Sequence, residues 1–292
     1  MGVKFERANN VVFKHDIGYK RNKDWEHWVL LSSDHHWDSK KCDRDLMDYH
    51  LKQAQERDAD VFILGDFFDC MGGKYDPRRS KGELRDELKV PNYFDALVEQ
   101  AADWLSPYAK NIRFISPGNH ETAVLKNQEI DLTQRLSQLL NTLYEGETLV
   151  GKYAGYVVFK FKENGGKKGR RYRVTMNYTH GYGGGGPVTK GTIQAQRRAV
   201  YTPDADIVVC GHIHESWVLE IMREKLSPNL YTPILSTQYA VQLPSYKEDF
   251  CVGEGWHRER GMPPKPTGAW WLRFFYSARD ERVKFEFIRA EI

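Results

Sequence analysis

Seven side chains able to ligate a metal follow short apolar runs along a chain of 292 residues. Asp34 and His36 come after Trp28-Val29-Leu30-Leu31, and Asp66 after Val61-Phe62-Ile63-Leu64. Asn119 comes after Ile112-Arg113-Phe114-Ile115, and His180 after Val174-Thr175-Met176-Asn177-Tyr178. His212 and His214 come after Ile207-Val208-Val209-Cys210. Of the 10 histidines, His36, His120, His180, His212 and His214 stand at such run ends, which a scattered surface distribution would not produce. Gly65, Gly118, Gly181 and Gly211 accompany them, where a sharp turn or a close backbone approach is needed.

Carboxylate, imidazole and amide donors without thiolate favour a divalent ion such as Mn²⁺, Fe²⁺ or Zn²⁺. This many donors exceed one tetrahedral site with an open position and suit two ions that share a bridging carboxylate. Two cations about 3.5–4 Å apart bring the pKa of bound water toward about 7 and clamp phosphoryl oxygens during in-line displacement. The chemistry expected is phosphoester hydrolysis.

Asp34-x-His36, Gly65-Asp66-x-x-Asp69, Gly118-Asn119-His120-Glu121, His180-Gly181 and Gly211-His212-x-His214 resemble, in order, the motifs of the calcineurin-like metallophosphoesterases. The resemblance implies a first metal held by Asp34, His36, Asp66 and His214. It implies a second held by Asp66, Asn119, His180 and His212, with Asp66 as the bridge. His120 is implied to contact phosphate and protonate the leaving oxygen, and Asp69 to orient His120 by accepting its ring N–H. The implied fold is α/β, a two-sheet β-sandwich flanked by helices in four αββα layers. The stretch from Gly255 to Trp271 is also similar to the tails of phage-encoded members.

The elements that must position these residues are legible in the spacing. The apolar runs are short and rich in β-branched and aromatic residues, so they read as strands, most of them covered on both faces. In open sheets ligands collect beyond the carboxyl ends of strands, which is where the donors stand. Helices are expected over Ser39–Arg57 with Asp38 or Ser39 as N-cap, over Asn92–Tyr108, and over Gln128–Leu143. From about Val218 onward, strands without intervening helices predict a second sheet. A single domain is expected across 1–292, with 71–90 and 246–268 as loops beside the active site.

Composition sets outer bounds. Hydrophobic content is 40% and charged content 28%, as in a folded globular protein rather than a disordered one. Basic residues number 43 and acidic residues 40, an excess too small to argue for nucleic acid by itself. Cys42, Cys70, Cys210 and Cys251 are far apart and read as reduced thiols. With no apolar signal region and no membrane-length apolar run, a cytoplasmic protein without a membrane partner is expected.

Several residues keep two readings. Gly183 to Gly186 are either an anion-binding nest or a plain loop. Lys167, Lys168, Arg170, Arg171 and Arg173 read as solvated charges at a hairpin tip in preference to a nucleic-acid contact. Arg78, Arg79, Lys81 and Arg85 either recruit a substrate or serve a solvated loop or dimer contact. Trp256, His257 and Arg258 either cover the metals or pack a sheet, and His35 is read as a neutral neighbour of His36.

The function expected is a phosphodiesterase using a hydroxide held by two metals, Mn²⁺ first among them, with His120 as the acid. Its partner is a phosphodiester: DNA, RNA, or a cyclic or small diester. A phosphomonoesterase, protein phosphatases included, is the enzymatic alternative, and a non-catalytic metal-binding scaffold of the same fold is the other. The complete donor set counts against the scaffold.

Overall fold

Apolar residues at successive positions of a strand face opposite ways, so a run with no alternation needs cover on both sides. The computed structural model supplies that cover with two stacked sheets and helices outside them. It describes residues 3–71, 82–164, 170–227, 229, 231–248 and 263–290. Thirteen strands are described: β1 (Lys4–Arg7), β2 (Val12–Tyr19), β3 (Glu26–Ser32), β4 (Asp60–Leu64), β5 (Ile112–Ser116), β6 (Leu149–Val150), β7 (Ala154–Glu163), β8 (Arg171–Thr179), β9 (Ile207–Cys210), β10 (Trp217–Leu226), β11 (Pro233–Gln242), β12 (Ala269–Ser277) and β13 (Arg282–Ala290). Five α-helices accompany them: α1 (Arg44–Glu56), α2 (Tyr93–Leu105), α3 (Asn119–Gln128), α4 (Leu132–Leu143) and α5 (Thr192–Tyr201).

One sheet has the order β13-β12-β3-β4-β5-β6 and the other β1-β2-β7-β8-β9-β11-β10. Strands β3 to β6 run parallel, and β8 runs parallel to β9, as β9 does to β11. Along β4, Val61 and Ile63 turn outward to the helical layer, whereas Phe62 and Leu64 turn inward. The inward layer between the sheets is strongly aromatic, with Phe13, Phe62, Phe114, Phe159 and Phe274 buried together. Helices α1, α2 and α4 carry the apolar layer on the outer face of the smaller sheet, and α5 packs on β9, β10 and β11 of the larger. The fold is thus α/β, two mixed sheets flanked by helices.

Local expectations need correction at several points. Helix α1 begins at Arg44, not Ser39, and its cap is Asp43, whose side chain accepts the Leu46 N–H at 2.9 Å. Asp38 is unavailable as a cap because its carboxylate accepts from the Asp69 and Cys70 N–H groups and the Tyr93 hydroxyl. The helix expected over Gln128–Leu143 begins at Leu132, capped by Asp131, because α3 ends just before it at a left-handed Glu129. Pro107 sits in a 3₁₀ turn that closes α2.

The strands after Val218 do not build a separate second sheet. β10 and β11 finish the larger sheet while β12 and β13 finish the smaller. Strands β7 and β8 form the expected hairpin. Among the described residues, no helix is long and apolar enough to cross a membrane.

Candidate metal centre

The carboxyl ends of β3, β4, β5, β8 and β9 lie along one edge of the sandwich, and the chain reverses sharply beyond each. Asp34, His36, Asp66, His212 and His214 all hold left-handed backbone, with φ of 53°, 48°, 49°, 74° and 53°. Such angles are uncommon outside glycine and cost energy that the surroundings must offset. The offset is visible as a zipper between loops: Asp34 N–H donates to Gly65 O at 3.0 Å, His36 N–H to Asp66 O at 3.1 Å, and Trp37 N–H to Phe67 O at 2.8 Å. Gly65 has a φ of 93°, and a Cβ there would lie 2.3 Å from His180 Nδ1. At Gly118 a Cβ would fall 2.1 Å from Asp66 Oδ1. Only glycine lets these loops close on the donors.

The donors gather in two touching sets. In the first, His214 Nε2 lies 3.3 Å from both Asp34 Oδ1 and His36 Nε2. In the second, His180 Nε2 lies 3.0 Å from Asp66 Oδ2 and 3.1 Å from Asn119 Oδ1, which is itself 2.8 Å from His212 Nδ1. His180 Nε2 and Asp34 Oδ1, 3.8 Å apart, link the sets. The other Asp66 oxygen accepts the His120 backbone N–H at 2.9 Å in the first turn of α3, where the helix dipole favours a carboxylate. His120 Nε2 stands 3.8 Å from Asp66 Oδ2.

Charge in this cluster is poised for cations. Burial pushes the Asp66 and Asp34 carboxyls upward, yet the surrounding imidazoles, His180 foremost, outweigh burial and hold both below the usual carboxylate range. Burial in turn favours a neutral His180, but Asp66 and Asp34 overcome it and raise this imidazole to about 10. Without an ion, a proton on a buried ring supplies the positive charge the carboxylates demand. Asp34 Oδ1 is buried without an aligned hydrogen bond. Buried, mixed oxygen and nitrogen donors with an orphaned carboxylate oxygen fit divalent cations.

Asp69 is placed differently from the expectation. The His120 Nδ1–H donates to the Asp69 backbone carbonyl, not to its carboxylate. The carboxylate instead lies 2.8 Å from His36 Nδ1 and accepts from Lys247 Nζ at 3.0 Å. The reason lies in Asp38, which binds the Asp69 N–H at 2.6 Å and fixes the local chain so that carbonyl and carboxylate face opposite partners. Asp69 thus sets the tautomer of His36, leaving Nε2 for the cluster, in the manner of carboxylate partners of metal-bound histidines.

Two further residues have positioning roles that sequence reading did not assign. Glu121, inside the Gly118-Asn119-His120-Glu121 string, is buried and accepts from the backbone N–H groups of Gly118, Asp66 and Phe68 at 2.8, 3.2 and 2.9 Å. Burial, then the charge of Asp66, pushes its carboxyl up to about 7. Lys247 follows β11, a sixth strand ending at this edge, and is 8% exposed beside Asp69. The segment before it is fixed by Ser245 Oγ and Tyr246 N–H donating to Asp34 O at 2.7 and 3.0 Å. No local motif marks Lys247; only the pairing of distant strands brings it in.

His35 stacks on Tyr246 outside the cluster, and burial lowers it to about 3, so it is neutral. Arg85 donates to the carbonyls of Ser39 and Cys42 and serves its own loop. Arg170 meets Glu281, whereas Arg171 and Arg173 are exposed on β8. Gly183, Gly184 and Gly186 are exposed ahead of α5. Arg78, Arg79, Lys81, Lys167, Lys168, Cys251, Trp256, His257, Arg258 and most of the 255–271 stretch's first half lie outside the described residues.

Comparison with known proteins agrees with this geometry. Residues 27–216 match the calcineurin-like phosphoesterase family, and the chain belongs to it. No curated protein matches the chain. Among solved structures, it is similar to a predicted phosphoesterase of Streptococcus pneumoniae, with 15% identity over 91% of this chain and 90% of that one and a TM-score of 0.33. It is similar to Vacuolar Protein Sorting 29 of Cryptosporidium parvum, with 14% identity over 92% and 100% of the chains and a TM-score of 0.35. GAP50 of Plasmodium, an anchor in the inner membrane complex, has 10% identity over 91% and 85% and a TM-score of 0.46. Likeness at these scores carries no further argument.

Proposed function

We propose that the chain is a phosphodiesterase working with two divalent ions, Mn²⁺ first among them. The observation that carries this reading is the convergence of Asp34, His36, Asp66, Asn119, His180, His212 and His214 from separate strands into two touching donor sets. Asp34, His36 and His214 would hold one ion, and Asn119, His180 and His212 the other, with Asp66 shared between them. When bound, such a pair supplies a hydroxide-strength nucleophile near neutral pH and neutralises charge on phosphoryl oxygens.

The chain's own residues do the rest. Asp69 holds His36 with its ring nitrogen toward the cluster, and Glu121 ties the loops bearing Asp66 and Asn119 together. His120 gives its Nδ1–H to the Asp69 carbonyl, which leaves Nε2 on the cluster side, 3.8 Å from Asp66. Protonated at Nε2, it can donate to the oxygen of a leaving alcohol. An alkoxide leaves poorly without that proton, so the acid would serve alkyl esters such as the diesters of DNA and RNA, cyclic nucleotides and small diesters. General acid catalysis of this kind is worth about 10²–10⁴-fold.

The test is hydrolysis of bis-p-nitrophenyl phosphate against p-nitrophenyl phosphate by chelator-treated protein resupplied with Mn²⁺, Fe²⁺ or Zn²⁺, followed by a panel of DNA, RNA and cyclic nucleotides. Turnover of diesters with Mn²⁺, abolished by chelator, is expected. His120→Asn should lower turnover of alkyl diesters about 100-fold or more while leaving metal content intact. Preference for monoesters would move the assignment to a phosphomonoesterase, and no turnover with any ion would leave a scaffold.

A further inference from the structure

At the edge of the sandwich opposite the donor sets, another buried cluster joins the two sheets. His15 comes from β2 of the larger sheet, while His27 from β3 and Asp60, the first residue of β4, come from the smaller. They are 0%, 6% and 7% exposed. His15 Nε2 and His27 Nε2 both address Asp60 Oδ2, at 2.6 and 3.0 Å. The two rings meet edge to face with centroids 5.2 Å apart. None of the three takes part in the centre described above.

A plain hydrogen-bonded latch leaves this cluster incompletely served. His27 Nε2 has no aligned hydrogen bond although it is buried close to the carboxylate. Leaving a buried polar atom unsatisfied is costly. Among the described residues Arg113 has its Nε 3.7 Å from the other Asp60 oxygen and its Nη1 2.8 Å from Glu147, so Glu147 shares its charge. The spacing also resembles that of the catalytic edge, where ring nitrogens and oxygens of the donor sets lie 2.8–3.3 Å apart.

We propose that His15, His27 and Asp60 form a third, structural site for one divalent transition ion of the zinc type, which clamps the two sheets at this edge. Two imidazole nitrogens and a carboxylate oxygen suit Zn²⁺ at about 2.0–2.2 Å. Tetrahedral ligands at that range are about 3.3 Å from one another, so the observed 2.6 and 3.0 Å must open by about 0.7 and about 0.3 Å. One ion at the point the three share would satisfy both Nε2 atoms and the carboxylate together. Mg²⁺ and Ca²⁺, which demand oxygen ligands, do not fit.

The test uses the full chain carrying Asp66→Asn and His214→Asn, so that the catalytic donors are disabled. The protein is saturated with Zn²⁺, desalted, and its metal measured by mass spectrometry. One zinc per chain is expected, falling to none when His27→Gln or Asp60→Asn is added; no zinc before that addition overturns the proposal. Because those additions could unfold the chain, the unmodified protein provides a second readout through ¹⁵N-edited NMR of histidine rings. With zinc bound, Nε2 of His15 and His27 carries no proton, and a proton persisting there at zinc saturation overturns the proposal. Either failure leaves the phosphodiesterase reading where it stood.

Discussion

Both edges of the sandwich bury histidines against carboxylates, but they hold them by different means. At the donor edge Asp34, His36, Asp66, His212 and His214 all lie beyond their strands on left-handed backbone, held by loop-to-loop hydrogen bonds. At the opposite edge His15, His27 and Asp60 sit inside regular strands, each at an ordinary inward or buried position. The first arrangement spends stability on geometry, as sites built for chemistry do. The second ties sheet to sheet and spends none on backbone strain. Residues at the first edge should therefore control turnover, and residues at the second should control stability.

The sharpest way to break that contrast is a pair of matched substitutions. Asp66→Ala should remove hydrolysis by more than the about 100-fold seen when mere partners of metal ligands are lost, with the chain still folded by circular dichroism. Asp60→Ala should leave metal-dependent turnover per folded molecule unchanged. It should lower unfolding free energy by about 3–5 kcal/mol in urea titration, the usual loss when one member of a buried pair is removed. If Asp66→Ala unfolds the chain while Asp60→Ala is silent in urea, the division between the edges is wrong.

The same contrast explains what the sequence disclosed. The clustered donors sit in short contiguous strings such as Gly65-Asp66 and Gly211-His212-Ile213-His214, because a reversal at a strand end needs its glycine and its donor side by side. His15, His27 and Asp60 have no such signature: each is one polar position in a β-strand, and only the register between sheets joins them. Lys247 and the Asp38 clamp were hidden for the same reason. Asp69 shows a subtler limit, since its position was legible but the choice between carbonyl and carboxylate for His120 depends on Asp38. The strands after Val218 were recognised as strands, yet spacing along a chain cannot say which of two sheets a hairpin joins.

Lys247 sharpens the comparison at a smaller scale, because it reaches the donor edge through Asp69, which faces His36. Lys247→Met keeps much of the side-chain volume and removes the charge. Metal affinity, followed by calorimetric titration of chelated protein, should weaken about 10-fold, at the low end of the range for groups that orient a ligand's partner. Turnover at saturating metal should recover most of its original value. A loss of turnover that saturating metal does not restore would place Lys247 in contact with substrate instead.

The smallest expected effect is in pH dependence, where His15 and His180 should differ in sign. Burial, opposed by Asp60, lowers the folded His15 below its ordinary 6.5, so the unfolded chain takes up the proton first. Its contribution to stability is complete above about 6.5 and is lost as pH falls further. His180 is the reverse: raised to about 10 in the ion-free protein, it contributes fully below 6.5, and that contribution is lost as pH rises through about 10. Melting temperatures of chelated protein should therefore decline on both sides of a maximum, by on the order of a few degrees. His15→Gln should soften the acid limb, to which the lowered His35, His36 and His212 of the donor edge also contribute, and His180→Asn should flatten the alkaline one. Saturating metal should erase the alkaline limb, because an ion binds only the unprotonated His180 and takes over the positive charge its proton supplied. If one substitution flattens both limbs, the two edges titrate as a single network and the separation between them fails.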